Sequence, residues 1–454
     1  MKVRIVLLIY RVLLPLLFLV AFPGWVLKML RRGGFGTALN ERVGIYFTEK
    51  EYESCGAIHL HAVSVGETML ALKLLREWQA AHPGTKFVLA TGTSTGHDAA
   101  TAANIHGLRV TYSPLDFPWM VRSYLSRFEP SSIILIEGEV WPSLLLAAER
   151  RGIPVSLANA RTSPRSAKRF RKFAPLLRPF FCRLSAVCLQ EEEHRSLWQA
   201  LGIAPQNIYL TGSIKFDPLS SAAPSPDPVF AEMLAAFGSQ RRIVLAASTF
   251  PGEETLIAEA IFAADENALP VIVPRHAERR AEVADALTRA GFSVTLRSLW
   301  SAGLKPAISR PQTHHDIQPG IEPQESGFQS RAPQAFVIDT TGELATWITH
   351  ADAVIIGKSF LSTGGQNPAE AIIAHKPLIL GPHMDNFQPL VRHLLAAGGA
   401  LAAHDSASIT LAIRSALDPA IAKALVEKAS GVLSLHEGAT QRHLRVLHPI
   451  SVNA

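Results

Sequence analysis

Charged residues are scarce in this chain, 18% of 454, and cysteines scarcer still. The three cysteines, Cys55, Cys182 and Cys188, share no metal-ligand spacing and form no even-numbered framework. That argues against a structural zinc site and a disulfide scaffold, and fits a reducing compartment. No Asp-x-Asp occurs, so a metal-clamped diphosphate is not indicated. Gly92-Thr93-Ser94-Thr95-Gly96 lacks the G-x-G-x-x-G spacing of a dinucleotide fingerprint, which removes the main support for hydride chemistry. Gly357-Lys358-Ser359 lacks the preceding glycine and four-residue gap of a P-loop. Glycine and proline, at 30 each, are ordinary and exclude collagen-like and low-complexity classes.

Apolar residues are abundant: 48% of the chain, with a mean hydropathy of +0.17. A chain so composed can bury a large core, and its length predicts two or three domains. The positive hydropathy traces to the front. Residues 5–27 read IVLLIYRVLLPLLFLVAFPGWVL, apolar except for Arg11 and flanked by Lys2, Arg4, Lys28, Arg31 and Arg32. The length suffices to span a bilayer if Arg11 snorkels. No small-x-small cleavage site follows, so an anchor is expected rather than a removed signal. Pro15 and Pro23 are expected to kink or end a helix, which suits a tilted or interfacial anchor. Net charge is 44 − 38 = +6 and the pI about 9.3. No basic face interleaved with aromatics accompanies it, so nucleic acid is discounted and the charge is expected to face anionic lipid.

Beyond residue 55 a short apolar run, a turn and an amphipathic helix recur. AIHLHAV at 57–63, KFVLAT at 86–91, SSIILI at 131–136 and PVSLANA at 154–160 are the runs of the first half. RRIVLAAST, PVIVPRH, FVID, ADAVIIG and PLILGP are those of the second. Such alternation predicts parallel sheets covered by helices on both faces. The expected organisation is an anchor at 1–34, a Rossmann-like domain at 35–216, a linker at 217–238, a second Rossmann-like domain at 239–430 and a C-terminal helix and tail at 431–454. Ser301–Pro333, rich in Pro, Gln and His, reads as a surface insertion. A ligand cleft is expected between the halves.

Ligands of open α/β sheets bind outside the C-terminal strand ends, and four loops there carry chemistry-bearing residues. His61–Glu67 runs from a strand into a Gly turn and a carboxylate opening the next helix. Glu67 can be a general base or an ordinary complement to the helix dipole. Glu137 and Glu139 end another apolar strand, to act in the cleft or to cap the helix starting near Pro142. In Val273-Pro274-Arg275-His276, Arg275 offers a planar fork for phosphate, or is a surface ion-pair partner. Gly364–Glu370 is a Gly-rich turn opening a helix, suited to a phosphate or simply a turn.

Nine segments in order resemble one family, the 3-deoxy-D-manno-octulosonic acid (Kdo) transferases of lipopolysaccharide synthesis. They are HAVSVGE at 61–67, EGEVWP at 137–142, NARTSPRS at 159–166, TGSIKFD at 211–217, STFPGEE at 248–254, PRH at 274–276, DTTGEL at 339–344, GGQNPAE at 364–370 and GPHMDNF at 381–387. The resemblance implies a GT-B type glycosyltransferase: two Rossmann-like domains with an N-terminal membrane anchor on the cytoplasmic side of the inner membrane. It implies CMP-Kdo as donor, a lipid A precursor as acceptor and no metal. By resemblance Glu67 is the general base, and Glu137 and Lys215 support the transition state. Pro274, Arg275, Thr341, Gly342, Glu343, Asn367, Pro368, Ala369 and Glu370 fall on the CMP-binding segments, with Glu343 or Glu370 accepting from ribose hydroxyls.

The chain departs from the family pattern in four places. Gln366 stands where His is usual, Lys358 replaces the middle Gly of Gly-Gly-Ser, Phe250 follows Ser-Thr where His is usual, and Thr341 replaces a common Met. Lys358 is a candidate to compensate for the missing His. Glu41–Gly44, between anchor and base, is either an acceptor-side loop or a plain connection. Two other functions fit the same architecture: another two-domain nucleotide-sugar enzyme, and a membrane-anchored lipid-binding pseudoenzyme.

Overall fold

The computed structural model describes residues 2–31, 39–46, 56–138, 140–217, 225–301 and 332–452. Cys55, Glu139 and nearly all of the expected Ser301–Pro333 insertion lie outside the described residues. Two compact units are present. The first combines Met1–Ser221 with His436–Ala454, and the second is Ala222–Leu435.

The first unit is built on seven parallel strands: β1 (Ile58–Ala62), β2 (Phe87–Thr91), β3 (Leu108–Tyr112), β4 (Ser132–Ile136), β5 (Val155–Ala160), β6 (Ala186–Leu189) and β7 (Ile208–Leu210). Their order is β3-β2-β1-β4-β5-β6-β7, with Leu60 of β1 facing Leu89 on one side and Ile134 on the other. Side chains alternate across a strand, so β4 feeds two cores at once. Ile133 and Leu135 enter the core of one face, and Ile134 and Ile136 that of the other. This double burial is why the strands read as apolar runs rather than alternating ones. The helix Val65–Ala81 begins at the N-cap Ser64 and buries Leu70, Ala71, Leu74, Leu75 and Trp78 at helical spacing.

The second unit repeats the plan with β8 (Ile243–Thr249), β9 (Leu269–Pro274), β10 (Ser293–Leu296), β11 (Gln334–Val337), β12 (Ala353–Ile356), β13 (Leu378–Leu380) and β14 (Leu401–Ala402). All are parallel, in the order β10-β11-β9-β8-β12-β13-β14. In each sheet the chain first fills one side of its first strand and later resumes on that strand's other side, although in the second unit β11 returns to lie between β9 and the edge strand β10. The reversal lies between β1 and β4 in one unit and between β8 and β12 in the other, the position where open α/β sheets bind ligands.

Three features depart from the sequence reading. Strands β3, β6, β7, β10 and β14 were not among the apolar runs. Pro228–Ala235, inside the stretch expected as linker, is a helix, because Asp227 caps it by accepting from Val229 N at 2.8 Å. The front helix runs from Lys2 to Arg31 through both Pro15 and Pro23, neither of which ends it. Its Val6–Gly24 portion is long and apolar enough to cross a membrane.

Candidate active site

The loops that follow β1 and β4 sit side by side at the reversal of the first sheet, since those strands are paired. Glu67, in the first turn after β1, is held by two hydrogen bonds. Val63 N donates to Oε2 at 2.8 Å and the Ser64 hydroxyl to Oε1 at 3.0 Å, while Glu67 N donates back to Ser64 Oγ at 3.3 Å. The helix-start role foreseen for this glutamate is therefore real, and it fixes the carboxylate in place.

Glu137 ends β4 in the left-handed region, at φ 65°. Its N–H donates to Ala158 O, and its carbonyl accepts from Arg161 N at 3.1 Å. This pins Glu137 and Arg161 to each other across β4 and β5. Lys215 lies on the short turn Ile214–Phe216 after β7 and joins them electrostatically. Burial pushes its ammonium down to about 8, the Arg161 charge adds to the depression, and the Glu137 carboxylate opposes it. So Glu137 and Lys215, 78 residues apart in sequence by 215 − 137, do come together. Arg161, which no sequence argument assigned, is the third member.

The Lys215 turn is positioned by buried polar groups that the sequence reading did not single out. Asn159, fully buried at φ 54°, accepts from Ile214 N at 3.0 Å through Oδ1. Its own N–H donates to His443 Nε2 at 2.9 Å. Asp217, 2% exposed, closes the turn by accepting from Gly438 N at 2.9 Å and Thr440 N at 2.8 Å. Ser213 N donates to His436 Nδ1 at 3.2 Å, and Arg442 Nε to Thr211 O at 2.9 Å. The segment 436–443 thus clamps the turn from 211 to 217. The only sequence signal for Asn159 was its place in NARTSPRS, and nothing marked His443.

In the second unit the reversal between β8 and β12 is organised by Glu253. This fully buried carboxylate accepts from Phe250 N and Lys358 N through one oxygen, at 3.0 and 2.6 Å, and from Ser359 N and Phe360 N through the other, both at 3.0 Å. It ties the loop after β8 to the loop after β12 and serves as an anion for a turn of inward-pointing N–H groups. Gly364, at φ 115°, follows that turn; a Cβ there would stand 2.7 Å from Asn386 Nδ2, so the position requires glycine. Lys358 Nζ lies 4.8 Å from the centre of the Phe250 ring, joining two of the four departures from the family pattern in one cation–π contact.

Arg275, exposed just after the buried Pro274 that ends β9, is close enough to Glu370 to act on its charge. Burial raises the Glu370 carboxyl, while a hydrogen bond from Asn367 and the Arg275 charge pull it down. Asn367 Oδ1 also accepts from Ala369 N at 3.2 Å, capping the turn of helix on which Ala369 and Glu370 sit. Arg275, Asn367, Pro368, Ala369 and Glu370 are therefore neighbours. Glu343 is committed elsewhere: it accepts from Thr340 Oγ1 at 2.6 Å, Trp347 Nε1 at 3.1 Å and Arg297 at 3.3 Å. Those bonds commit Glu343 to its own loop. Thr341 and Gly342 are exposed beside Glu343 in the same loop.

A family model described as 3-deoxy-D-manno-octulosonic-acid transferase (kdotransferase) matches residues 37–218. A 3-deoxy-D-manno-octulosonic acid transferase of Bordetella pertussis is 33% identical over 96% of this chain and 96% of its own. The chain belongs to the Kdo transferase family. A Kdo transferase of Haemophilus influenzae is 29% identical over 90% of this chain and 91% of that protein. The fold likeness is wider. A UDP-GlcNAc 2-epimerase from Neisseria meningitidis superposes with a TM-score of 0.55 at 11% identity, covering 87% of this chain and all of the other. A glycosyltransferase from Rickettsia africae does so at 0.52 and 12%, covering 88% of this chain and 99% of that one. The architecture is thus that of GT-B proteins, two parallel-sheet α/β domains, and the chain is a glycosyltransferase.

The matched region begins at residue 37, so Glu67, Glu137, Arg161 and Lys215 all fall inside it. Glu41 and Arg42, at the candidate acceptor-side turn of this Kdo transferase, are both buried. Glu41 accepts from Thr111 Oγ1 at 2.9 Å, and Arg42 donates to Gly92 O at 3.0 Å while stacking 3.8 Å over Tyr112. Those two side chains serve as a connection fastened to the ends of β2 and β3. Among the described residues no group of three or more His, Cys, Asp or Glu is arranged to hold a metal ion.

Proposed function

We propose that the protein is an inverting glycosyltransferase that moves Kdo from CMP-Kdo to a hydroxyl of a lipid A precursor of the lipid IVA type, releasing CMP. The observation that carries this reading is the Glu137–Arg161–Lys215 group at the C-terminal strand edge, one loop away from the oriented carboxylate of Glu67. A sugar alcohol is a poor nucleophile and needs a base within hydrogen-bond reach. Glu67 takes the acceptor proton as the oxygen attacks the anomeric carbon. The bond from that carbon to the CMP phosphate oxygen breaks, and the electron pair leaves on CMP. Direct displacement inverts the anomeric centre and leaves no covalent enzyme intermediate.

The transition state is positive at the sugar and negative at the leaving phosphate. The Glu137 carboxylate suits the first, and the Lys215 ammonium and Arg275 guanidinium suit the second. Pro274, Arg275, Thr341, Gly342 and Asn367–Glu370 form the CMP site, with Glu370 accepting from the ribose and Glu343 holding the loop. Charge neutralisation by these side chains requires no metal ion. The apolar front helix and the basic charge favour a protein working on the cytoplasmic face of the inner membrane, against anionic lipid and an acceptor that is itself a lipid.

The test is transfer from CMP-Kdo, generated in situ, to a tetra-acylated lipid A precursor, read as product mass beside a Glu67→Ala control. Mass gain by one or more Kdo units, abolished in the variant, is expected. No gain and no CMP release from a folded protein would defeat the reading. Inhibition by UDP rather than CMP would transfer it to another nucleotide sugar.

A further inference from the structure

The front helix is not a free span. Val6, Leu7 and Tyr10 pack into the core of the first unit, and Tyr10 Oη donates to the buried Asp116 at 2.8 Å. Two turns further on, the Phe18 ring meets Phe117 edge-on at 5.8 Å. Residues 7, 10 and 18 share one helical stripe, so the helix lies along the domain for at least 11 residues. The opposite side is bare and apolar: Leu8, Leu13, Leu16, Leu17, Leu19 and Val20 are between 49% and 82% exposed. A perpendicular span would carry Asp116 and its polar neighbours into hydrocarbon, where charged groups are costly. Lying in the interfacial plane, the helix buries only its bare side.

Beside this docked stretch is a cavity of about 210 Å³ lined by Arg11 of the helix, Arg122 of the helix Pro118–Phe128, and Arg150 and Arg151 at the end of the helix Pro142–Glu149. Four arginines from three elements thus line one space. Among the described residues none of the four has a carboxylate within ion-pair distance. Arg151 is steadied by donating to Ser126 Oγ at 2.8 Å. The volume is below the roughly 300–1,000 Å³ of small-molecule pockets and fits a compact group. Planar forks without a carboxylate partner match phosphate oxygens. Since Arg11 belongs to the apolar helix, the cavity stands at headgroup level when the helix lies in the interface.

We propose that this cavity binds the phosphate of an anionic phospholipid and so sets the depth at which the protein sits on the membrane. The proposal rests on the membrane reading above and adds to it a defined lipid site, separate from the Glu67 and Lys215 loops. Full-length protein is co-sedimented with phosphatidylcholine vesicles, with and without a minority of phosphatidylglycerol. The triple variant Arg122→Gln/Arg150→Gln/Arg151→Gln is compared with Arg165→Gln/Lys168→Gln/Lys172→Gln, which removes equal charge from another exposed helix of the same unit.

The wild type is expected to prefer phosphatidylglycerol, and the first triple to lose that preference by on the order of a hundredfold, at about fivefold per cation. Its binding to phosphatidylcholine alone should persist, which also reports an intact fold. Equal losses in the two triples would mean diffuse charge attraction and overturn the site. Saturable binding of inorganic phosphate to vesicle-free protein, abolished by the first triple and without lipid preference, would reassign the cavity to soluble phosphate. A wild type that binds vesicles without any charge preference overturns the site alone. One that binds no vesicle overturns the membrane reading with it.

Discussion

Lys215 offers the sharpest test of the catalytic arrangement. Its ammonium is pushed down to about 8, first by burial and then by Arg161, with Glu137 working against both. If its positive charge supports the leaving phosphate, kcat/KM must follow the charged fraction of the free enzyme. That fraction is about nine-tenths at pH 7 and about one-tenth at pH 9, because each pH unit beyond the pKa is a factor of ten. An alkaline limb centred near 8 is therefore expected, well below that of an ordinary lysine. The neighbours supply an internal control. Arg161→Gln removes a like charge and should move the limb upward; Glu137→Gln removes the opposing carboxylate and should move it downward. Initial rates of CMP release with saturating acceptor, measured from pH 6 to 10, would read all three enzymes. A limb that does not shift in either variant, or one that persists in Lys215→Met, would refute the assignment.

Four further outcomes follow from particular contacts. Glu253→Ala leaves five buried or part-buried backbone N–H groups without their acceptor; at about 1–3 kcal/mol for each unsatisfied group it should abolish stable folding of the second unit or cut its urea midpoint severely, with Glu253→Gln intermediate. Lys358→Ala should weaken CMP-Kdo binding in calorimetry if the lysine replaces the family's missing histidine cation, and leave it unchanged if the contact with Phe250 is its whole role. His443→Ala should lower kcat more than it raises KM by loosening the Lys215 turn, and His443→Gln should restore part of the loss. Acid should destabilise the first unit: burial depresses His61 and His443 to about 4, so the stability they contribute is full above about 6.5 and is lost as pH falls through about 4. Each adds a slope of about 1.4 kcal/mol per pH unit in that window. Asp116, raised to about 6 by burial, works the other way, its contribution being lost as pH rises through 6. Urea midpoints from pH 4 to 7 would show the net fall, and a flat profile would contradict it.

Much of the fold was readable because a strand buried on both faces is mostly apolar, as β4 and β8 are; β1 and β5, though buried throughout, also carry His59, His61, Ser156 and Asn159. The strands that escaped notice are those for which this does not hold. β3 and β10 are only partly buried over most of their length, β7 has two exposed residues out of three, and β14 is two residues long. β6 is the exception: AVCL is buried throughout and as long as β11 and β12, which were read, yet it was passed over. At the site, the strand-end acids were legible as charges interrupting apolar runs. Their functions were not, since a carboxylate looks alike in sequence whether it caps a helix as Glu67 does, holds a loop as Glu343 does, or gathers five N–H groups as Glu253 does. Arg161 and Asn159 lay within a quoted motif, yet only the left-handed backbone at Asn159 and the pairing of β4 with β5 give them their tasks.

The return of residues 436–452 to the first unit has a consequence for the order in which the protein can be made. The second unit is, in effect, a 214-residue insertion within the first, counted from Ala222 to Leu435. A ribosome releases the sheet of the first unit early, but the groups that hold its Lys215 turn, from His436 to His443, emerge only after the whole second unit. Until then the turn keeps its bond from Ile214 N to Asn159 and from Lys73 to Asp217 O but lacks the donors at Gly438 and Thr440 and the acceptors at His436 and His443. Lys215 is thus fully clamped last, and a chain cut short before His436 would carry both sheets and a more loosely held Lys215 turn.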